Sequence, residues 1–283
     1  MKLTAIQSHQ ETKSRYNGSS MQQNPVRLRQ TPKYDTMHFG RFGAQESIVK
    51  KSGDFEYKEP LDIQDLSVRN GNATLGDVRA IGAVNVDNGF LRADNLTARA
   101  ANADNLHLVS LIAGNANAVG GAEIKKYAIV ETIKTGAHLE AGSLTAKTAK
   151  VGTHAKITGD AKVDLLKTGE QLRVGGTSEM RKVVSGGAVT LGKVEKLEEV
   201  VMRKRPNERK YAERTLAFTS DVVPEKIRVV LDDFAKLIVR AADESIMEKL
   251  EFFYNGRIFK NSARRKIPQA VIDRAVQFIK IAT

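Results

Sequence analysis

Cysteine and tryptophan are absent from this 283-residue chain, and aromatic residues make up only 6% of it. Without cysteine there is no disulfide framework and no thiolate metal site, a composition that suits a reducing compartment, so the cytoplasm is the expected location. With so few rings, a wide globular core of large side chains is not expected, and alanine, valine, leucine and glycine must fill whatever core forms. No apolar run approaches the roughly 20 residues needed to cross a bilayer, so a soluble chain is expected. The first residues, Met1-Lys2-Leu3-Thr4-Ala5-Ile6-Gln7, turn polar at once. They lack the roughly 7–15-residue apolar stretch of a secretory signal, which argues against signal-directed export.

The net charge of +12 suggests nucleic acid until it is divided along the chain. Residues 1–58 hold 10 basic and 5 acidic side chains, residues 59–200 hold 17 of each, and residues 201–283 hold 18 and 11. The middle is neutral and the flanks are basic.

That middle segment, 59–200, carries a six-residue period. Steps of six from Ile133 reach Leu139, Thr145, Val151, Ile157 and Val163, and the small residues Ala137, Ser143, Ala149, Ala155 and Ala161 follow four positions after the first five. Upstream, Leu66, Val78, Val84, Phe90, Leu96 and Leu108 share a second frame offset by one, which places an irregular coil around Gly114, Gly120 and Gly121. A short strand alternates its side chains in and out, and a small residue lets the backbone turn at a corner. Three such sides close a triangular coil. The predicted fold is therefore mainly β, a parallel β-solenoid with about 18 residues per coil and about 4.8 Å between coils. A β-sandwich, the competing arrangement, rarely holds one fixed spacing. Asparagines at 70, 72, 85, 88, 95, 102 and 105 suit left-handed corners and amide ladders along the rod.

The flanks differ in character. Residues 1–58, polar and without a period, read as a mostly disordered basic arm, within which Met37–Gly43 could dock or form a first edge strand. A charged linker, 201–219, precedes a small α+β unit, 220–283. In it, Ile227, Val230, Leu231, Phe234, Leu237, Ile238 and Ala241 give the spacing of an amphipathic helix. Phe252 to Phe259 reads as a hairpin turning on Asn255-Gly256, and Pro268 opens a last helix through Val271, Ile272, Ala275, Val276 and Ile279. The unit would cap the rod, oligomerise or act as an adaptor.

The hexad run resembles the hexapeptide-repeat acyltransferases, whose left-handed β-helix uses a histidine as general base between subunits. That resemblance makes His138 the candidate base of a trimeric enzyme. The units Ile157-Thr158-Gly159-Asp160-Ala161-Lys162-Val163 and Gly76-Asp77-Val78-Arg79-Ala80 look like those of bactofilins, polymer-forming β-helical proteins that stack end to end without nucleotide. The present chain departs from bactofilins by a longer C-terminal unit, and an end cap would block stacking at that end. His107, His138 and His154, spaced 31 and 16 apart, do not fit a stack with an 18-residue coil, so they read as exposed or satisfied histidines. No metal site or cofactor is expected.

These readings converge on a non-enzymatic scaffold that self-associates or docks a partner protein. A hexapeptide-class acyltransferase and an adhesin-like surface solenoid are the alternatives. Arg203, Lys204, Arg205, Arg209, Lys210, Arg264, Arg265 and Lys266 are the candidate contacts for an anion or partner. Nucleic acid or an anionic membrane is less favoured, because no aromatics interleave the first basic cluster. Within the rod, residues 59–122 carry 4 basic and 7 acidic side chains and residues 123–200 carry 13 and 10, so its ends differ in sign. Attraction between opposite ends is screened beyond about 8 Å at physiological ionic strength. Self-association is therefore expected to weaken as salt rises, and sedimentation showing a monomer at low and high salt alike would contradict this.

Overall fold

The computed structural model describes residues 26–27, 38–39, 46–203, 213–232, 236–255 and 264–281. It is mainly strands, wound as a parallel β-solenoid of about nine turns. Each coil has three sides. On the first, Ile48 lies over Leu66 and Leu66 over Val84; further along, Ala116, Ile133, Ala149, Leu166, Val183 and Val200 stack in register. The second side carries Phe55, Ala73 and Leu91, and later Leu106, Ala122, Leu139, Ala155, Leu172 and Val189. The third carries Leu61, Val78 and Leu96, and later Leu111, Ala128, Leu144, Ala161 and Ser178.

Every side is a short strand with two inward side chains flanking an outward one. In one coil the inward pairs are Leu139 and Ala141, Leu144 and Ala146, and Ala149 and Val151, all buried. The hexad frame places Thr145 inward, but Thr145 is exposed and its neighbours point in. The reason lies at the corners, some of which take five residues per side and some six. Coils are therefore 15 to 18 residues long, as the pairs Asn102 with Asn117, Leu139 with Ala155, Ala155 with Leu172 and Ile48 with Leu66 show. The one-residue offset between the two frames is such a corner. The strand runs from Ala83 to Ala118 through Gly114, the next begins at Ala122, and the irregularity lies just beyond the glycines, where the register with both neighbouring strands shifts between Ile124 and Tyr127.

The core is as narrow as the composition requires. Leu, Val, Ile and Ala fill it, and the buried rings Phe55, Tyr57, Phe218 and Phe252 lie in the first and last coils. Asparagine behaves as expected. Asn70 and Asn88 have φ of 51° and 59°, and the Asn88 amide donates to Asn70 Oδ1 at 2.8 Å. A second ladder runs from Asn117 Nδ2 to Asn102 Oδ1 at 2.7 Å and from Asn102 Nδ2 to Asn85 Oδ1 at 2.6 Å.

The winding extends beyond the expected limits. At the N-terminal side, Ser47–Lys50 and Phe55–Tyr57 belong to the first coil, inside the segment predicted as a disordered arm. Most of residues 1–45, including most of Met37–Gly43, lie outside the described residues; His38–Phe39 pairs antiparallel with Val26–Arg27. At the C-terminal side, the helix expected over 227–241 is two strands, Ile227–Asp232 and Leu237–Ala241. They pair parallel with Val189–Met202 and Arg214–Phe218. Around Val230 the strand Ile227–Asp232 is covered on both faces, because outward Val230 packs with Val184 and Val201, while Arg228 before it stays exposed. A strand covered on both faces reads as a continuous hydrophobic run, which spacing alone cannot tell from a helix. Phe253, Tyr254 and Asn255 do enter an antiparallel pair, with Lys266, Arg265 and Arg264. Residues 256–263, which hold the expected Asn-Gly turn's second half, lie outside the described residues. The last helix forms over Gln269–Ala275 behind Pro268, but Ile279 belongs to a following strand, Val276–Lys280. Among the described residues no helix is long and apolar enough to cross a membrane.

One corner shows how tightly the coils stack. A Cβ added to Gly152 would sit 1.8 Å from the carbonyl oxygen of Gly136, and one added to Gly169 would sit 1.9 Å from that of Gly152. The obstacle is backbone, which cannot swing aside. Gly152→Ala is expected to cost about 1–3 kcal/mol through overpacking, seen as a lower Tm with the β-type circular dichroism retained.

Candidate functional site

Coils of 16 and 17 residues, rather than 18, bring the solenoid histidines together. His107 points outward between Leu106 and Leu108 on the second side, and Glu123 occupies the same position one coil later. His138 and His154 stand at the corner just before the next two rungs, Leu139 and Ala155. Glu123 accordingly lies between two imidazoles: His107 Nδ1 is 3.3 Å from its Oε2 and His138 Nε2 is 3.6 Å from its Oε1. The His138 and His154 rings stack, with centroids 5.5 Å apart and planes 12° from parallel. His107 also meets Phe90 edge to face at 6.2 Å, and Arg92 stands over Phe90 at 5.8 Å from its centroid. Gly121 makes room for this arrangement, since a Cβ there would lie 2.2 Å from His138 Cε1.

The expectation that these histidines form no one-coil stack is thereby corrected, while His107 and His138 are satisfied side chains as expected. The spacing of 16 between His138 and His154 is one coil, and the 31 between His107 and His138 is two coils with Glu123 between. Glu123 itself gives no signal in the sequence until the coil length is known. Chemically, a carboxylate between imidazoles can orient the rings by accepting their N–H groups. Among the described residues, no group of three or more His, Asp or Glu is placed to hold a metal ion.

Comparison with protein-family models, with curated proteins and with solved structures returns no match. The functional reading therefore rests on the chain itself.

Of the basic candidates, Arg203, Arg264, Arg265 and Lys266 lie among the described residues. Arg203 ends the last regular strand, and its carbonyl accepts from Arg214 Nη2 at 3.0 Å. Lys204, Arg205, Arg209 and Lys210 lie outside the described residues. Arg265 and Lys266 are exposed on the antiparallel strand Arg264–Lys266. Arg264 is engaged within the molecule: its guanidinium grips the Glu199 carboxylate with both terminal nitrogens, Nη2 reaching Oε1 at 3.1 Å. Lys182 Nζ reaches the same carboxylate at 2.5 Å.

Glu199 is one rung of a column in which Lys182, Glu199, Arg228 and Glu251 face one another on successive coils, alternating in sign. Its side chain is only 10% exposed. Burial pushes its carboxyl up, but hydrogen bonds and charge from Lys182 and Arg264 outweigh this and hold it below the ordinary carboxylate range. Because Arg264 lies on the strand that covers Leu250–Asn255, Glu199 ties the chain's last part to the regular rod. A carboxyl held low in the folded state contributes stability above its unfolded pKa and loses it as pH falls through the folded one. Glu199→Gln is expected to cost about 1–3 kcal/mol near neutral pH. That difference from the parent should shrink on acidification below about pH 4.3, the ordinary glutamate value, as followed by thermal melts across pH.

Proposed function

We propose that the chain is a non-catalytic structural solenoid that associates with further copies of itself through the edge of its first coil and presents its flat sides to partners. The observation that carries this reading is the pairing of that coil. Ser47–Lys50, Phe55–Tyr57 and Leu61–Ile63 each have a parallel neighbour on one side only among the described residues. Phe55 N–H donates inward to Asn72 O at 2.7 Å and Leu61 N–H to Asp77 O at 2.8 Å. By the alternation of a parallel strand, the N–H groups of Glu56 and Asp62 then point along the rod, away from the second coil. Such an edge is a template for another strand.

The far end is closed in part: the outer edge of Leu250–Asn255 is taken by Arg264–Lys266 running antiparallel, while Val276–Lys280 has a parallel strand neighbour, Leu237–Ala241, on one side only among the described residues. Association through first coils supports a symmetric pair before it supports a long head-to-tail polymer. The resemblance to bactofilins points to the same class of behaviour.

Proline at an edge removes an N–H without breaking an internal pair. The double variant Glu56→Pro, Asp62→Pro should sediment as a monomer at concentrations where the parent associates, with its Tm little changed. Unchanged association in that variant would refute the edge reading. Acyl transfer from an acyl donor, abolished in His138→Ala, would instead support the acyltransferase alternative and overturn the non-catalytic one.

A further inference from the structure

Along the rod, like charges directly opposite on neighbouring strands are destabilising and opposite charges stabilising. Most charged columns obey this. Lys182, Glu199, Arg228 and Glu251 alternate on the first side. On the third side Lys162, Glu179 and Lys196 alternate, with Lys162 Nζ 3.0 Å from Glu179. Two columns depart from it: on the second side Glu123 faces Glu140 and Lys156 faces Arg173, with Glu140 and Lys156 offsetting one another between them, and on the first side three cations follow one another without a break. Lys134, Lys150 and Lys167 face one another on three consecutive coils of the first side. Among the described residues, no carboxylate lies within ion-pair distance of any of them. Lys134 and Lys150 are exposed and Lys167 is partly so.

The surroundings leave an open groove along the lysines. The column beside the lysines is uncharged, formed by Thr132, Thr148 and Leu165. On the other flank the corner is Gly152 and Gly169, which raise no side chain, and Arg203 lines the far end of the same groove.

We infer that this groove docks an acidic, extended segment of a partner protein, laid along the rod axis. Successive coils place the three ammonium groups about 4.8 Å apart, and same-side residues of an extended peptide recur about every 6.7 Å. Flexible lysine stems take up that difference, and the Arg203 fork can receive a carboxylate in bidentate fashion. Nucleic acid is disfavoured because no aromatic side chain lines the groove to stack a base. A membrane surface is disfavoured because the positive charge is a single column between neutral neighbours.

The inference does not depend on association through the first coil, and sedimentation of the same samples reads that separately. The test uses the full chain and a short fluorescein-labelled peptide alternating glutamate and serine, followed by anisotropy at low and high salt. Binding at low salt that weakens with salt is expected. The triple variant Lys134→Ala, Lys150→Ala, Lys167→Ala should lose about tenfold or more in affinity. The triple variant Lys147→Ala, Lys162→Ala, Lys196→Ala, with the same change in net charge, should retain it. Melting curves show that both variants fold, and the first should melt no lower than the parent because it relieves like-charge repulsion. Equal loss in the two variants, no binding by the parent, or tighter binding of a single-stranded oligonucleotide than of the peptide would overturn the inference.

Discussion

Everything in this molecule depends on each coil hydrogen-bonding in register to the one before it. The pairing does not stop at the corners. Ala122 N donates to His138 O, Leu139 N to His154 O, Ala155 N to Gln171 O and Leu172 N to Ala188 O, all between 2.9 and 3.0 Å. At another corner Gly136, Gly152 and Gly169 donate to Ala118, Thr135 and Val151 at 2.9 to 3.0 Å. Backbone groups that turn a corner would otherwise be buried or strained without partners, which is costly. Because the ladder passes through the bends, a coil can change length by one residue at a corner and still keep its inward pairs in line.

That constraint has two consequences. Inside, three inward pairs per coil leave space for little beyond Ala, Val, Leu and Ile, so a chain without tryptophan is suited to the fold rather than handicapped by it. Outside, every outward residue is set above another at a fixed short spacing, which turns single side chains into columns. The amide column of Asn85, Asn102 and Asn117, the lysine column of Lys134, Lys150 and Lys167, and the valines Val184, Val201 and Val230 occupy the same outward position of the first side in successive groups of coils. The surface therefore changes chemistry along the rod axis, from neutral polar through basic to apolar.

Much of the rod was legible in advance. The six-residue recurrence identified the class, the small core and the asparagine ladders, because these follow from alternation and corner size. What spacing could not resolve was the choice of five or six residues at each corner. That single-residue uncertainty put Thr145 inside when Leu144 is inside, and it hid the contacts among His107, Glu123, His138 and His154. The site was harder to read than the fold for a physical reason. A core tolerates a slip of one residue, since the neighbour is often apolar too, whereas a contact between two particular side chains does not. Glu199 is a similar case. Nothing in Leu197-Glu198-Glu199-Val200 tells which glutamate faces Lys182 and Arg264 until the register is known.

The misread segment 227–241 shows how the stack overrides local preference. Its apolar residues satisfy a helical spacing and a strand alternation equally, and β-branched Ile227, Val229, Val230, Ile238 and Val239 tip it towards strand only modestly. The decisive term is the edge offered by Val189–Met202 and Arg214–Phe218, which supplies a partner for each backbone group and an inner surface for Ile227, Val229, Leu237 and Val239. Yet the spacing between stacked residues grows here, from the 17 residues between Val183 and Val200 to the 29 between Val200 and Val229 and the 39 between Val239 and Phe278. Longer excursions between rungs weaken the link between sequence-local and stacked neighbours, because each must close a longer loop. The antiparallel strand Arg264–Lys266 then takes up the outer edge of Leu250–Asn255, with Arg264 fixed by Glu199. Among the described residues the two ends of the rod thus differ, the first coil being paired on a single side throughout and the other end folding the chain back over Leu250–Asn255 while Val276–Lys280 keeps one strand neighbour.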